Sequence, residues 1–207
     1  MVGKAGTARR SGQHHGDLRR AIEQAALVLV EERGVQGFSL AEASRRAGVS
    51  VAAPYKHFAD RDALLADLAR RGYEEQLERF GAAMATVEGP VAQMAEFASA
   101  YVEFAVHRRA LFELIFAAGL DKRRYPELLA AGARVQDLLV APAGRLRSDP
   151  DEAVDLVHAV AAAAHGLAVF LGQGVFGDPA AQLGPTRERA RAAARALASY
   201  EGDDVDA

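Results

Sequence analysis

The chain has 207 residues, half of them apolar and 26% charged, with a net charge of −3 and no cysteine. That composition fits a globular protein of one large or two small domains, and the missing thiols exclude disulfides, thiolate metal sites and cysteine nucleophiles. No apolar run approaches the roughly 18 residues of a membrane span and the N-terminus lacks a signal-peptide core, so a soluble cytoplasmic chain with no membrane partner is expected. Charge is unevenly placed: residues 1–71 carry a net +4 and the remainder a net −7, which fits phosphate contact at one end of the molecule.

In chain order, residues 1–15 are rich in Gly, Ser, Gln and basic groups and are expected to be mobile. Lys4, Arg9 and Arg10 there suit a phosphate strand or a minor groove, and equally a solubilising tail. From Asp17, residues Leu18, Ile22, Ala25, Ala26, Leu29 and Val30 recur at the helical period, and Gly34 supplies a stop. Ser39 caps a second helix, with Glu42 three residues on as in a capping box, and Gly48 ends it. Ser50 then caps a third short helix through His57, in which Pro54 removes one N–H. Two short helices joined by a turn containing Gly make a helix-turn-helix. Ala43, Ala47 and Val49 are small enough to let the helices cross. Val51, Ala52 and Ala53 form a slim apolar nose, able to enter a major groove and touch thymine methyls but not to hydrogen-bond base edges.

Beyond residue 62 the pattern is helical with short breaks. "RDALLADLARRGYEEQLERFGAAMA" predicts a long fourth helix, and Gly89-Pro90 a break before the next. Phe97, Tyr101, Phe104, Phe112 and Phe116 then form an aromatic stripe that reads as core or as the wall of an apolar ligand site. His107 closes the fifth helix as a dipole partner or a polar handle. Asp149-Pro150 opens an alanine-rich helix whose small side chains bury little area alone and so call for a second copy. His158 and His165 share a helix face without a third ligand, so no metal site is predicted. There is no phosphate-binding glycine motif, nucleophile elbow or zinc helix, so no catalytic residue, cofactor or enzyme activity is predicted.

The stretch "FSLAEASRRAGVSVAAPYKHFADRDALL", with Ala47-Gly48-Val49-Ser50, Tyr55 beside Phe58, and the "DRDALL" helix opening, resembles the DNA-binding domain of the tetracycline-repressor (TetR) family of bacterial transcription regulators. "YVEFAVHRRALFELIF", "YPELLAAG", "AHGLAVFL" and "RERARAAARALASY" resemble later helices of a subgroup of that family. The resemblance implies an all-α fold of about nine helices: a basic arm and three-helix helix-turn-helix domain over 1–62, and a helical ligand-binding and dimerisation bundle over 63–207. It implies DNA contacts by Ser39, Arg45, Ser50, Val51, Ala52, Ala53, Tyr55, Lys56, His57 and Arg61, with Arg46 near the backbone and Phe58 in the core. It implies a pocket lined by Phe97, Tyr101, Phe104, Phe112 and Phe116, with His107 and His165 as polar handles. It implies a dimer interface of His158, Ala161, Ala164, Leu167, Ala168 and Leu171 on the penultimate helix and Ala194 and Ala198 on the last. Relatives often carry Trp where this chain has Ala161, which implies a reshaped cavity. The expected partners are double-stranded operator DNA, a second copy of the chain and a small apolar or aromatic ligand that releases a repressor from a near-palindromic operator. A helical adaptor or sensor that does not bind DNA is the alternative on the same scaffold.

Overall fold

The computed structural model describes residues 8–116 and 118–200, with side chains from Asp17 onward. Among the described residues there are eight α-helices, three 3-10 turns and no strand. The N-terminal head begins with α1 (Ala8–Arg33), which starts well before Asp17 and takes in most of the segment expected to be mobile. Lys4 and the side chains of Arg9 and Arg10 lie outside the described residues.

A 3-10 turn over Val35–Gly37 leads to α2 (Leu40–Arg46), where the Ser39 hydroxyl accepts the Glu42 N–H at 3.2 Å as a cap should. The Glu42 carboxylate turns to Arg33 at 2.7 Å instead of completing a capping box. Arg46 grips Glu32 of α1 through two bonds of 2.6 and 2.7 Å, a forked pairing that fixes α2 against α1. Asp60 caps α3 (Arg61–Met84) by accepting the Ala63 N–H at 2.7 Å. This helix leaves the head and runs unbroken into the body, so the expected division at residue 62 falls within its first turn.

The body comprises α3, α4 (Pro90–His107), α5 (Arg109–Phe116), α6 (Pro126–Ala143), α7 (Pro150–Gly172) and α8 (Pro179–Ser199). The predicted breaks occur where local chemistry demands them. Gly89 has φ 83°, Pro90 opens α4, and Asp149 caps α7 by accepting from the N–H groups of Asp151 and Glu152. Helix α4 lies centrally against α3, α7 and α8. At its heart Phe80 of α3 meets Phe97 and Phe104 edge-on, with centroids 5.1 and 6.0 Å away, and stacks on Tyr101 at 5.7 Å. Helix α3 also crosses α5 closely at Gly72, where an added Cβ would lie 2.9 Å from the Ile115 Cδ1. Arg191 clamps α8 to Glu96 of α4 at 2.8 and 3.0 Å.

Helix α7 contains an 18-residue window with a mean hydropathy of 1.8, long and apolar enough by those criteria to cross a membrane. His158, His165 and Gly166 break the stretch into short apolar runs, so its length shows only as a window average. The helix packs against α4, α6 and α8, yet only a third of that window is buried within the chain.

Because Phe80 is fully buried against three aromatic rings, Phe80→Ala is expected to cost about 3–5 kcal/mol by leaving a cavity. Urea denaturation with an unchanged slope would register the loss as a lower midpoint.

Candidate nucleic-acid interface

After α2 the chain reverses at Gly48, whose φ of 70° is left-handed and suits only glycine well. The expected third helix from Ser50 through His57 is not a regular α-helix. Val51 and Ala52 form a turn, Ala53 a bend and Pro54–Lys56 a 3-10 turn, with Ala53 rather than Ser50 at its N-cap position and no side-chain cap. Ser50 supplies its carbonyl, which accepts the Ala53 N–H at 2.9 Å, and the Pro54 carbonyl accepts the His57 N–H at 2.8 Å. Pro54 has no N–H of its own, so an α-helical ladder through it cannot close and shorter i to i+3 bonds take over. This absent regular helix reduces the expected count of about nine to eight.

The tight turn sorts side chains sharply. Val51 and Tyr55 are 49% and 59% exposed, and Ser39, Arg45, Ser50, Ala52 and Lys56 also face solvent. Ala53 is buried with Pro54, so the apolar nose narrows to Val51 and Ala52. His57 is half-buried, its ring 6.4 Å from that of Phe58, which lies in the core as expected. Arg45 reaches only within 3.8 Å of Glu42 and remains largely exposed, whereas Arg46 is held by Glu32.

Arg61 is placed differently from a phosphate ligand. Its Nη2 donates to the Val35 carbonyl at 2.5 Å and its Nε to the Phe38 carbonyl at 3.2 Å. Its Nη1 meets Asp62 at 3.2 Å, and the guanidinium covers the Phe38 ring at 5.7 Å. Peptide carbonyls in a tight turn need donors, and the planar guanidinium fork supplies two at once. A second set of charges ties α1 to α3. Glu23 of α1 is buried between Arg19 and Arg71, and Arg19 also reaches Asp67 at 2.8 Å. Burial pushes the Asp67 carboxyl upward, but hydrogen bonds from Arg19 and Arg70 outweigh it and hold it below the ordinary carboxylate range. Arg19–Glu23 and Asp67–Arg70 lie one helical turn apart, but sequence periodicity gave no sign of Arg71–Glu23 and Arg19–Asp67, which join residues far apart in the chain.

The aromatic stripe divides into two roles. Phe97 and Phe104 are packed core on Phe80 rather than cavity wall. His107 is exposed at the end of α4, 3.8 Å from Glu103, and lies away from the aromatic group. Tyr101, Phe112, Phe116 and His165 do come together. The His165 ring stacks on Phe112 at 5.4 Å and meets Phe116 edge-on at 4.7 Å. The Tyr101 oxygen lies 2.9 Å from the His165 Nδ1. Burial pushes the Tyr101 hydroxyl far above its ordinary range, so it remains a donor. Burial lowers the His165 pKa and favours the neutral ring that accepts this bond. Phe112 also lines a neighbouring cavity of about 490 Å³ with Ala105, Val106, Ala168 and Val169, rimmed by Arg109 and Gln173.

The expected interface residues also separate. Ala164, Ala168 and Leu171 of α7 and Ala194 and Ala198 of α8 are buried inside the subunit. Leu167 is partly buried and packs on the core, and Ala161 is also partly buried. The outer face of α7 instead presents His158, Ala162, Gly166 and Phe170, each four residues from the last. Of these only His158 was anticipated, and it lies 3.1 Å from Gln136 of α6. An alanine-rich helix offers little contrast between its faces, so the sequence could not tell which alanines point inward.

Family comparison acts on this geometry. A model of the tetracyclin repressor-like C-terminal domain matches residues 94–200, and a model of bacterial regulatory proteins of the tetR family matches residues 22–68. The chain belongs to the TetR family. A solved Rhodococcus sp. RHA1 protein of unknown function is 32% identical with a TM-score of 0.75, over 91% of this chain and 97% of its own. An uncharacterised HTH-type transcriptional regulator from Bacillus subtilis strain 168, YobS, is 31% identical over 108 residues. That match takes in 52% of this chain and 56% of the curated relative, so the chain spans little more than half the relative's length. Bacillus subtilis FadR, solved in complex with stearoyl-CoA, has the same fold, with a TM-score of 0.64 at 14% identity over 84% of this chain and 98% of its own. The family match thus spans both the helix-turn-helix head and the helical body.

The aromatic group yields a prediction about acid. Because burial lowers the His165 pKa below its ordinary 6.5, the unfolded chain takes up this proton before the folded one does. The resulting stability is present above that value and is lost as pH falls below it. His165→Gln is expected to flatten that acid-side loss, measured by urea denaturation between about pH 7 and pH 5.

Proposed function

We propose that two copies of this TetR-family chain bind a near-palindromic operator and release it when an apolar ligand enters the body, most simply as a repressor. The observation that carries the reading is the outer face of the head, where exposed Val51, Ala52, Tyr55 and Lys56 sit on one tight turn after α2. A turn without a bulky polar side chain at its tip fits into a groove. Lys56 supplies charge for phosphate, and the Tyr55 hydroxyl can donate to it. Ser39, Ser50 and Arg45 are exposed on the same head and extend the phosphate-facing set. His57 is the weaker reader, being half-buried.

Dimerisation is supported by the incomplete burial of α7. Its outer stripe, together with exposed Glu188, Ala192 and Ala196 on α8, has the small-residue relief that lets helices from two subunits approach. Two heads would then face successive major-groove turns roughly 34–36 Å apart. The 490 Å³ cavity next to Phe112 is the better candidate for ligand than the filled space around Phe97 and Phe104. Its mainly apolar wall suits a lipophilic body, and Gln173 offers a polar contact. The fatty acyl-CoA bound by the structurally similar FadR is consistent with a ligand of that character. Ligand and DNA are linked only if the ligand prefers a subunit arrangement in which the heads are wrongly spaced. Helix α3 joins the two regions through one intermediary: Arg61 anchors it at the head, and Phe80 stacks on Tyr101, whose ring meets Phe112 of the cavity wall edge-on.

DNA recovered from a random duplex pool at low salt provides the test. Lys56→Ala is expected to flatten the log–log salt dependence of binding by about 0.9, the value for one lost ionic phosphate contact. Arg61→Met is expected to leave that slope unchanged while weakening binding through a displaced head. Failure of the wild-type chain to enrich any duplex would favour an adaptor on this scaffold.

Assembly is tested separately. Ala162→Arg places a charge on the exposed outer stripe of α7 without disturbing the subunit core, so the variant is expected to fold but remain monomeric by light scattering. A wild-type monomer at micromolar concentration would defeat the two-headed mechanism.

A further inference from the structure

The chemistry at the tip of the reading turn is narrow. Gly48 turns the chain out of α2, and Ala53 and Pro54 are buried beneath the turn. Between them only Val51 and Ala52 project as apolar side chains. The Ser50 carbonyl accepts the Ala53 N–H at 2.9 Å, a bond that closes over Val51 and Ala52 and holds both outward. On the far side the Pro54 carbonyl accepts from the N–H groups of His57 and Phe58, at 2.8 and 2.9 Å. Two arginines of the head are committed elsewhere, Arg46 to Glu32 and Arg61 to the Val35 and Phe38 carbonyls. The tip itself therefore carries no side-chain donor or acceptor.

We propose that Val51 and Ala52 select the operator through the 5-methyl groups of thymine, at one base step in each half-site. This selection rests on the regulator reading above and specifies what that regulator recognises. Every base edge in the major groove presents hydrogen-bonding groups, and only thymine adds a methyl. An apolar tip pressed on any other edge strips water from those groups and returns no hydrogen bond. Against thymine it covers the methyl instead and gains by burial. Selection is thus repulsive toward the wrong base as well as attractive toward the right one. Consecutive Cα atoms lie about 3.8 Å apart and stacked bases about 3.4 Å, so two neighbouring side chains span a single step. Tyr55 and Lys56, which follow the tip in the chain, then serve phosphate without choosing sequence.

Replacing thymine by deoxyuridine removes the methyl and leaves every hydrogen-bonding group in place. The replacement is made one thymine at a time in a duplex enriched from the random pool, and affinities for the full chain are compared. At one or two adjacent positions per half-site it is expected to weaken binding roughly fourfold, the value of one buried methyl group. That ratio is expected to hold between about 50 and 200 mM salt while both affinities fall, since no charge is involved. Val51→Ala or Ala52→Gly is expected to bring the ratio at one of these positions close to one. Lys56→Ala is expected to weaken both duplexes and keep the ratio. Each ratio compares two duplexes on one protein, so a smaller folded fraction leaves it unchanged. A half-site that responds nowhere to deoxyuridine, a ratio untouched by both tip variants, or a half-site fixed at guanines and relaxed by Lys56→Ala would overturn the methyl reading alone. Failure to enrich any duplex overturns the regulator reading and this one with it.

Discussion

The orientation of the head depends on Arg61. A guanidinium at the first residue of α3 holds two peptide carbonyls of the Val35–Phe38 segment, so the chain between α1 and α2 cannot shift without carrying α3 along. This contact is electrostatic, directional and local to one end of the helix. At the other end Phe80 is enclosed by rings from α4, a contact without direction but with a demanding shape. The two kinds of attachment differ in what disturbs them. Solvent and competing anions act on the first, and changes in packing volume act on the second. A helix held in both ways ties the aromatic core to the head through a single element.

The same division appears at the junction of α1 and α3. Glu23 is buried with arginines on both sides, and Asp67 shares Arg19 with it and adds Arg70. Removing one member leaves a charge poorly solvated, so these pairings favour one docking of the head over slipped alternatives. Helix α7 presents the complementary case. Its inward alanines allow close packing against α4 and α8, while its outward stripe leaves apolar area uncovered in a single chain. Small residues thus serve two opposite faces of one helix. The fold keeps its internal packing independent of what covers the outer face.

How much of this was legible in the sequence followed from how local its cause was. Ser39, Gly48, Asp60, Gly89-Pro90 and Asp149-Pro150 punctuate the chain through groups within a few residues, and the element boundaries they imply agree with the structure. Pro54 carried the warning that the third helix would be perturbed, but not that the turn would bury Ala53. For Arg61 the charge was visible and its partner was not, because the carbonyls that claim it come from a turn over twenty residues earlier. The aromatic stripe posed another ambiguity: a ring on a core wall and a ring on a cavity wall have the same hydrophobicity. Phe80, contributed by a different helix, decides that Phe97 and Phe104 are core. The alanines of α7 are the extreme case, since chemically identical residues take different faces.

Gly72 gives the long helix a further property. With no side chain there, α3 lies close against Ile115 of α5, and Gly72 sits near the middle of the Arg61–Met84 span. At about 1.5 Å per residue the arm to Arg61 measures about 16 Å and the arm to Phe80 about 12 Å. A rigid rod pivoting at that crossing would return a displacement at Phe80 at the head in the opposite direction and roughly a third larger. A methyl group at the fulcrum would first meet the Ile115 Cδ1, the free end of a side chain, and so shift that side chain before the helix itself.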